Sequence, residues 1–525
     1  HIPILGSFDS PCFGRPDTWF EYDLRVEGRK ITLFVDGRQV AAFDDAGKSN
    51  ALDTAWTPLT DGGYFGLRNF VPNRVDVDYV RVFTKREART AGGRHGAELT
   101  VDANFPGGNI KVDRREGDAV FLRQDLRDTI GDWFYWAFRV RGAAGRTLTF
   151  TFASDKFSAR GPAISTDGGA TWKWMGREAV RDRTFSHTFA DNADDVRFSM
   201  GMPYTEANLK AFLQQHAAST ALEQETLCQT RKGRSVELLR FGKLDGEPRH
   251  RVFFTARHHA CEMMASYALE GVIQAALADD ETGKWFRENV ELRAVPFMDK
   301  DGVEDGDQGK NRRPHDHNRD YAGEPLYASV AAVKKMLPAW SGGKLKIALD
   351  LHCPALRGRE NEIIHFVGGP DAGLWRRATR LSQLLEELSA QSPLRFRESD
   401  NLPFGKSWNT ARFGVASIEK SFGHWVGTLP GLRIGATLEL PYAASSGQEV
   451  NAETARAFGR NVAAAVRAYL METESDALRS TNKTAKENKR EPTDNFPKRR
   501  RKLRGFSRRQ PAMQRTRDAA TRRHE

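Results

Sequence analysis

From residue 206 onward the chain changes period. Apolar runs such as Arg251–Thr255, Leu292–Phe297 and Lys346–Leu351 alternate with stretches of helical spacing such as Asn208–Ala217, Met263–Ala278 and Trp375–Ser389. A last helical stretch, Ala452–Leu470, closes the series. This alternation predicts an α/β domain over residues 206–473, with a mostly parallel or mixed central sheet. In such sheets, ligands gather beyond the carboxyl ends of the strands. Four polar clusters stand at that kind of position: Arg257 to Glu262, Asp299 to Gly302 continuing through Arg312 to Arg319, His352, and Glu439.

The first and third clusters suggest metal chemistry. His259 and Glu262 are spaced His-x-x-Glu, and His352 is a second imidazole far downstream. Two imidazoles and one carboxylate make a three-ligand zinc site with an open fourth position. Zinc lowers the pKa of water bound in such a position to near neutrality. His258 competes with His259, but only His259 has a Glu three residues on. An isolated His is usually a satisfied core or surface residue, which is the expectation for His258, His315, His317 and His365.

The remaining sequence sets bounds. At 525 residues the chain exceeds one ordinary core, and three or four domains are expected. No apolar run approaches the ~20 residues of a membrane span. The chain begins at His1 without a charged-then-apolar leader, so a lost signal sequence stays open. Four cysteines, none spaced C-x-x-C, argue against a zinc ribbon and a disulfide scaffold. Cys261 and Cys353, each beside a candidate ligand, are expected to pack as small buried residues. The net charge is +11, but residues 491–525 hold twelve Lys and Arg against four Asp and Glu, so the body is nearly neutral.

Two β-rich units precede the α/β domain. Trp19–Val26, Lys30–Val35, Gly62–Leu67 and Val75–Phe83 read as strands of a partial sandwich over residues 1–85, with a hairpin at Asp36-Gly37. A polar linker with Gly92-Gly93 leads to a second sandwich over 98–205, in which Thr147–Phe152 alternates and Trp133–Val140 is an aromatic strand. Ser165 to Trp172 matches the Asp-box turn of propeller blades, but a single copy predicts one hairpin turn. Beyond Glu472 the apolar period stops, and residues 474–525, with Lys498 to Lys502, read as a disordered basic tail. Such a run can bind nucleic acid or act as a nuclear signal, and the tail is the one place where nucleic-acid contact would be expected, but a solvated tail with no dedicated partner carries more weight, since no aromatic stacking pattern accompanies it.

The stretches ARHHACE, DKDGV, DHNRDY, DLH and TLELPYA, in that order, resemble the zinc carboxypeptidases, most closely their cytosolic branch. Upstream, ANFPGGNI, DWFYWAFRV and FSMGMPYTEANL resemble the small sandwich that precedes the peptidase there. Residues 1–85 resemble part of a concanavalin-like sandwich, a module often found beside carbohydrate chemistry. The resemblance implies one zinc per chain on His259, Glu262 and His352, with Glu439 as general base. It implies that Asn318 and Arg319 grip a terminal carboxylate, which a planar guanidinium meets with two bonds. Asp316 would orient the first zinc histidine. An upstream arginine would stabilise the oxyanion; Arg312 is favoured over Arg313, which would lie with the substrate-binding groups.

The implied activity is removal of a C-terminal residue from a peptide or protein. Two alternatives stand beside it: a zinc amidohydrolase acting on N-acyl amino acids, and a non-catalytic module binding glycan or protein through its sandwiches. A glycan contact is expected only through the N-terminal sandwich. The resemblance favours the cytoplasm, and the incomplete N-terminus leaves secretion open.

Overall fold

The computed structural model describes residues 98–410 and 420–488, together with three N-terminal strands. Those strands, Tyr22–Glu27, Lys30–Val35 and Arg38–Asp44, form an antiparallel sheet in chain order. Val35 pairs with Arg38; the turn expected at Asp36-Gly37 lies outside the described residues. The later strands expected in the partial sandwich, Gly62–Leu67 and Val75–Phe83, lie outside the described residues, as does any glycan contact they would carry. Residues 1–93 and 94–525 are separate compact units.

In the second unit, residues 98–205 build two five-stranded sheets. Thr147–Phe152 shows how they meet. Leu148, Phe150 and Phe152 are buried on one face, because side chains alternate along a strand. Thr147, Thr149 and Thr151 on the other face meet the hydroxyls of Thr188, Ser186 and Thr184 at 2.9, 2.9 and 3.1 Å. The Phe150 ring lies 5.1 Å from that of Phe138 and 5.4 Å from that of Phe198, both in the facing sheet. The strand expected at Trp133–Val140 is shorter, Ala137–Arg141. The Asp167 turn is a closed hairpin: its carboxylate accepts from Thr171 N at 3.0 Å and from Ser165 Oγ at 2.7 Å.

From residue 222 a seven-stranded mixed sheet forms. Its order is Leu222–Gln229, Ser235–Gly242, Val290–Val295, His250–Ala256, Leu345–His352, Ile434–Glu439 and His365–Val367. The four strands from Val290–Val295 to Ile434–Glu439 are parallel, and the outer three pair antiparallel. The inner strands are buried on both faces, as parallel strands usually are. Val252 and Phe254 join the large core, while Phe253 between them packs with Val330, Val333 and Leu337 of helix Ala328–Ser341.

The large core is closed by helices Met263–Leu277 and Ala452–Asn488. Their axes come very close at two glycines: a Cβ on Gly271 would sit 2.0 Å from Arg456 O, and one on Gly459 1.9 Å from Ala268 O. The last helix runs to Asn488, well past the end expected at Leu470. Apolar period and helix propensity part company there. Residues 471–488 contain neither Gly nor Pro, so no breaker stops the helix where the apolar period ends. Its extension is anchored by His250 Nε2 against Glu474 Oε1 at 2.7 Å. The basic run Lys498 to Lys502 lies outside the described residues. Among the described residues, no helix is long and apolar enough to cross a membrane.

Candidate metal centre and active-site cavity

The parallel strands deliver the candidate residues to one place. His250–Ala256 ends at Ala256, and Arg257 turns the chain with φ +61°. That left-handed turn is held from inside. The buried Arg257 guanidinium donates to Ala260 O, to Tyr204 O at 2.9 Å and to Ser266 Oγ at 3.1 Å. Glu262 then takes the N-cap position of helix Met263–Leu277, its side chain turned to the histidines and not to the helix amides. His352 and Glu439 are the last residues of adjacent parallel strands and stand in register with each other.

Three donors converge there. His259 Nδ1 lies 2.8 Å from Glu262 Oε1, and His352 Nδ1 lies 2.7 Å from Glu262 Oε2. The two Nδ1 atoms are 3.2 Å apart. His352 Nε2 lies 2.6 Å from Asp350 Oδ2 and Nδ1 faces Glu262; with a metal ion on the Nδ1 side, the ring proton would sit on Nε2. That leaves the Nδ1 lone pair facing the other donors. The Nε2 side of His259 faces Asp316 at 3.6 Å, too long for a hydrogen bond but favourable to a proton on that nitrogen. Two lone pairs and a carboxylate, all buried, repel one another unless a cation joins them. His259, Glu262 and His352 therefore fit a divalent ion, and the nitrogen and oxygen donor set suits zinc.

A second row of groups holds this set in place. Asp350 accepts from Thr255 Oγ1 at 2.8 Å and bridges His258 Nδ1, also at 2.8 Å, to His352. His258 Nε2 meets Tyr321 Oη at 2.8 Å. His258 is thus a satisfied buried residue, as expected, and it props a ligand. Burial pushes the Asp350 carboxyl upward, but His258 and His352 outweigh that and hold it well below its usual range. Burial likewise raises Asp316, and His259 reverses this, leaving it strongly lowered.

A cavity of about 570 Å³ opens over the centre. His259, His352, Lys310, Asn318, Arg319 and Glu439 all line it, with Trp375 and Trp408 on its apolar wall. Glu439 is 7% exposed, and its Oε2 has no hydrogen-bond partner. The Asn318 side chain is held by Phe422 N, which donates to Oδ1 at 3.0 Å, and its Nδ2 lies 3.3 Å from His352 Nε2. Arg319 Nη1 donates to Asn318 O at 3.1 Å.

Two expected residues lie elsewhere. Arg312, expected at the oxyanion, is enclosed by carboxylates: Asp128 at 2.7 Å, Asp307 at 2.8 Å, and Asp299. It does not line the cavity. Arg313 is exposed, and neither it nor its neighbour reaches the centre. The cation that does is Lys310, whose Nζ lies 2.8 Å from Glu262 Oε1 and 3.1 Å from Cys353 O. Burial pulls its ammonium down, but Glu262 and Glu439 outweigh this and keep it charged. Asp350 was also missed, although its place two residues before His352 puts both side chains on one face of the strand.

Residues 207–332 match the zinc carboxypeptidase family model. A cytosolic carboxypeptidase 6 of Caenorhabditis elegans is 24% identical over 48% of this chain and 62% of its own length. The chain spans less than two thirds of such curated relatives. Among solved structures, metallo-carboxypeptidases of Burkholderia cenocepacia and Pseudomonas aeruginosa superpose with TM-scores of 0.59 and 0.59 at 21% and 20% identity. They cover 72% and 71% of this chain and 100% and 99% of their own. Family match, relatives and fold point the same way: residues 207–332 are similar to the zinc carboxypeptidases, and the chain is similar to cytosolic carboxypeptidases and shares the fold of solved metallo-carboxypeptidases.

Proposed function

We propose that this protein is a zinc-dependent metallocarboxypeptidase that hydrolyses the C-terminal peptide bond of a peptide or protein. The observation that carries this is the convergence, in one cavity, of a His259–Glu262–His352 donor set, a Glu439 carboxylate with an unbonded oxygen, and the Asn318–Arg319 pair. Bound by those donors, zinc supplies Lewis acidity that activates water and polarises a carbonyl. The chain's own groups do the rest. Glu439 Oε2, buried and unpartnered, accepts the proton of the attacking water and passes it to the leaving amine. Arg319 and Asn318 receive the free α-carboxylate, which fixes the substrate's register and restricts cleavage to the last residue. The cavity of about 570 Å³ also has Trp375 and Trp408 in its lining, apolar surface for a substrate side chain. The names of the cytosolic relatives support the cytoplasm as its place of action.

The test is a panel of N-benzoylglycyl amino acids, longer peptides and N-acetyl amino acids, assayed with and without a chelator. Peptide cleavage abolished by chelation and restored by zinc is expected. Glu439→Gln should keep stoichiometric zinc and lose about 10²–10⁴-fold in kcat, the size of a general-base contribution. Undiminished turnover in that variant would refute the role of Glu439. Cleavage confined to N-acetyl amino acids would make the protein a deacylase.

A further inference from the structure

Water attack on a peptide carbonyl moves an electron pair onto the carbonyl oxygen, and that oxygen needs a positive group beside it until the C–N bond breaks. Arg312 is committed to three carboxylates and cannot serve. Among the described residues, Lys310 and Arg319 are the Lys and Arg side chains that line the cavity. Arg319 adjoins Asn318, where the terminal carboxylate is placed. We propose that Lys310 is the group that stabilises the oxyanion. This inference rests on the peptidase function proposed above.

The loop carrying Lys310 is built to hold it there. On one side, Gln308 is tied to the metal loop: Cys261 N donates to Gln308 O at 3.1 Å, and Gln308 Nε2 donates to Cys261 Sγ at 3.3 Å. Gln308 Oε1 accepts from Tyr135 N at 2.7 Å. Gly309 follows at φ +72°, and a Cβ there would lie 2.3 Å from Ala260 N, so only glycine lets the loop pass this close to the metal ligands. On the other side, Asn311 exchanges backbone and side-chain hydrogen bonds with Ile130, at 2.8 and 2.7 Å. Arg312 then locks into its carboxylates. Lys310 is the residue between these anchors, and its Nζ reaches 2.8 Å from a metal carboxylate with its side chain 20% exposed. A substrate carbonyl placed beside the His259–Glu262–His352 donors would therefore come within reach of this ammonium. In the cycle, water adds to the carbonyl carbon and Glu439 takes its proton. Lys310 donates a hydrogen bond to the negative oxygen, and the oxygen's electron pair returns as the amine leaves with that proton. A lysine offers a point charge rather than a planar fork, which suits a single oxygen.

The experiment compares wild-type, Lys310→Met and Lys310→Arg chains by zinc content, steady-state kinetics on N-benzoylglycyl peptides, and binding of a phosphonate analogue of the same peptide against the free product amino acid. Lys310→Met is expected to keep one zinc per chain and to lose about 10²–10³-fold in kcat, the effect of removing one oxyanion donor, with KM changing far less. Phosphonate affinity should fall by a similar factor and product affinity hardly at all. Lys310→Arg should recover much of both. Equal loss of phosphonate and product affinity, or kcat near wild type at full zinc occupancy, overturns the proposal. So does a Lys310→Met chain whose only defect is weakened zinc binding, cured by excess zinc, because the lysine then merely steadies Glu262. A wild-type chain without peptidase activity sinks the functional proposal instead, and the two failures are told apart.

Discussion

Two convergences of charge lie near the carboxyl ends of the parallel strands, and they are closed in opposite ways. Asp128, Asp299 and Asp307 gather around Arg312, a cation that the chain itself supplies. His259, Glu262 and His352 gather as a donor set that could hold an ion supplied by solution. Both contain buried carboxylates within hydrogen-bonding distance of nitrogen. The difference lies in what the nitrogens can carry: the guanidinium brings five N–H groups and a fixed charge, while an imidazole can turn a lone pair inward when its proton sits on the outward nitrogen. The first cluster is a fastener between the β layers and the α/β domain, and the second is a candidate metal site. Proximity of acids and bases alone does not separate the two, but the direction of their protons does.

The comparison makes its largest demand on Arg312. Replacing it by Met leaves Asp299, 2% exposed, without its counter-charge. Breaking one side of a buried pair typically destabilises by about 3–5 kcal/mol, and the urea midpoint of Arg312→Met should fall accordingly. Zinc affinity of the folded fraction should change little. A variant that unfolds with wild type yet has lost turnover would move Arg312 back to the active site and erase the contrast.

This pairing also marks where sequence reasoning stopped. The inner strands and the helix Met263–Leu277 were legible, because burial on both faces writes continuous apolar runs. The edge strand Leu222–Gln229 was not: it is largely exposed and reads LEQETLCQ, with no apolar face to betray it. In the candidate site, His-x-x-Glu is local and visible, and His352 and Glu439 stand out as polar residues ending apolar strands. Arg312 and Lys310 could not be told apart, since both are basic residues of one loop. What separates them is Asp128, 184 residues away in sequence, and Asp299 beneath. Partner choice of that kind is a property of the folded packing of two layers, and no local spacing encodes it.

A smaller effect tests the other cluster. Asp350→Asn keeps the shape of the residue that bridges His258 and His352 but removes the charge that holds the His352 proton outward. Loss of such an outer partner typically weakens metal binding about 10–100-fold. Competition against a graded chelator measures it. Wild-type zinc affinity in Asp350→Asn would show that strand geometry alone orients His352, and the proton-direction argument would fail.

The smallest effect concerns a half-exposed relative of the Arg312 fastener. Asp305 closes helix Lys300–Asp305 against Arg234 at 2.8 Å, with Lys232 also in contact. Burial pushes its carboxyl up, but the two cations prevail and hold it below its usual value. A carboxylate lowered on folding contributes stability above its unfolded pKa of ~3.9, and that contribution is lost as pH falls through the folded value. Wild-type stability should therefore drop on acidification below about pH 4 more steeply than that of Asp305→Asn, with the two curves running parallel near neutrality. Because the pair is partly open to water, the neutral-pH difference should be about 1 kcal/mol or less. A difference as large as that of Arg312→Met would mean that exposure does not grade these fasteners, and the enclosed cluster would lose its special standing.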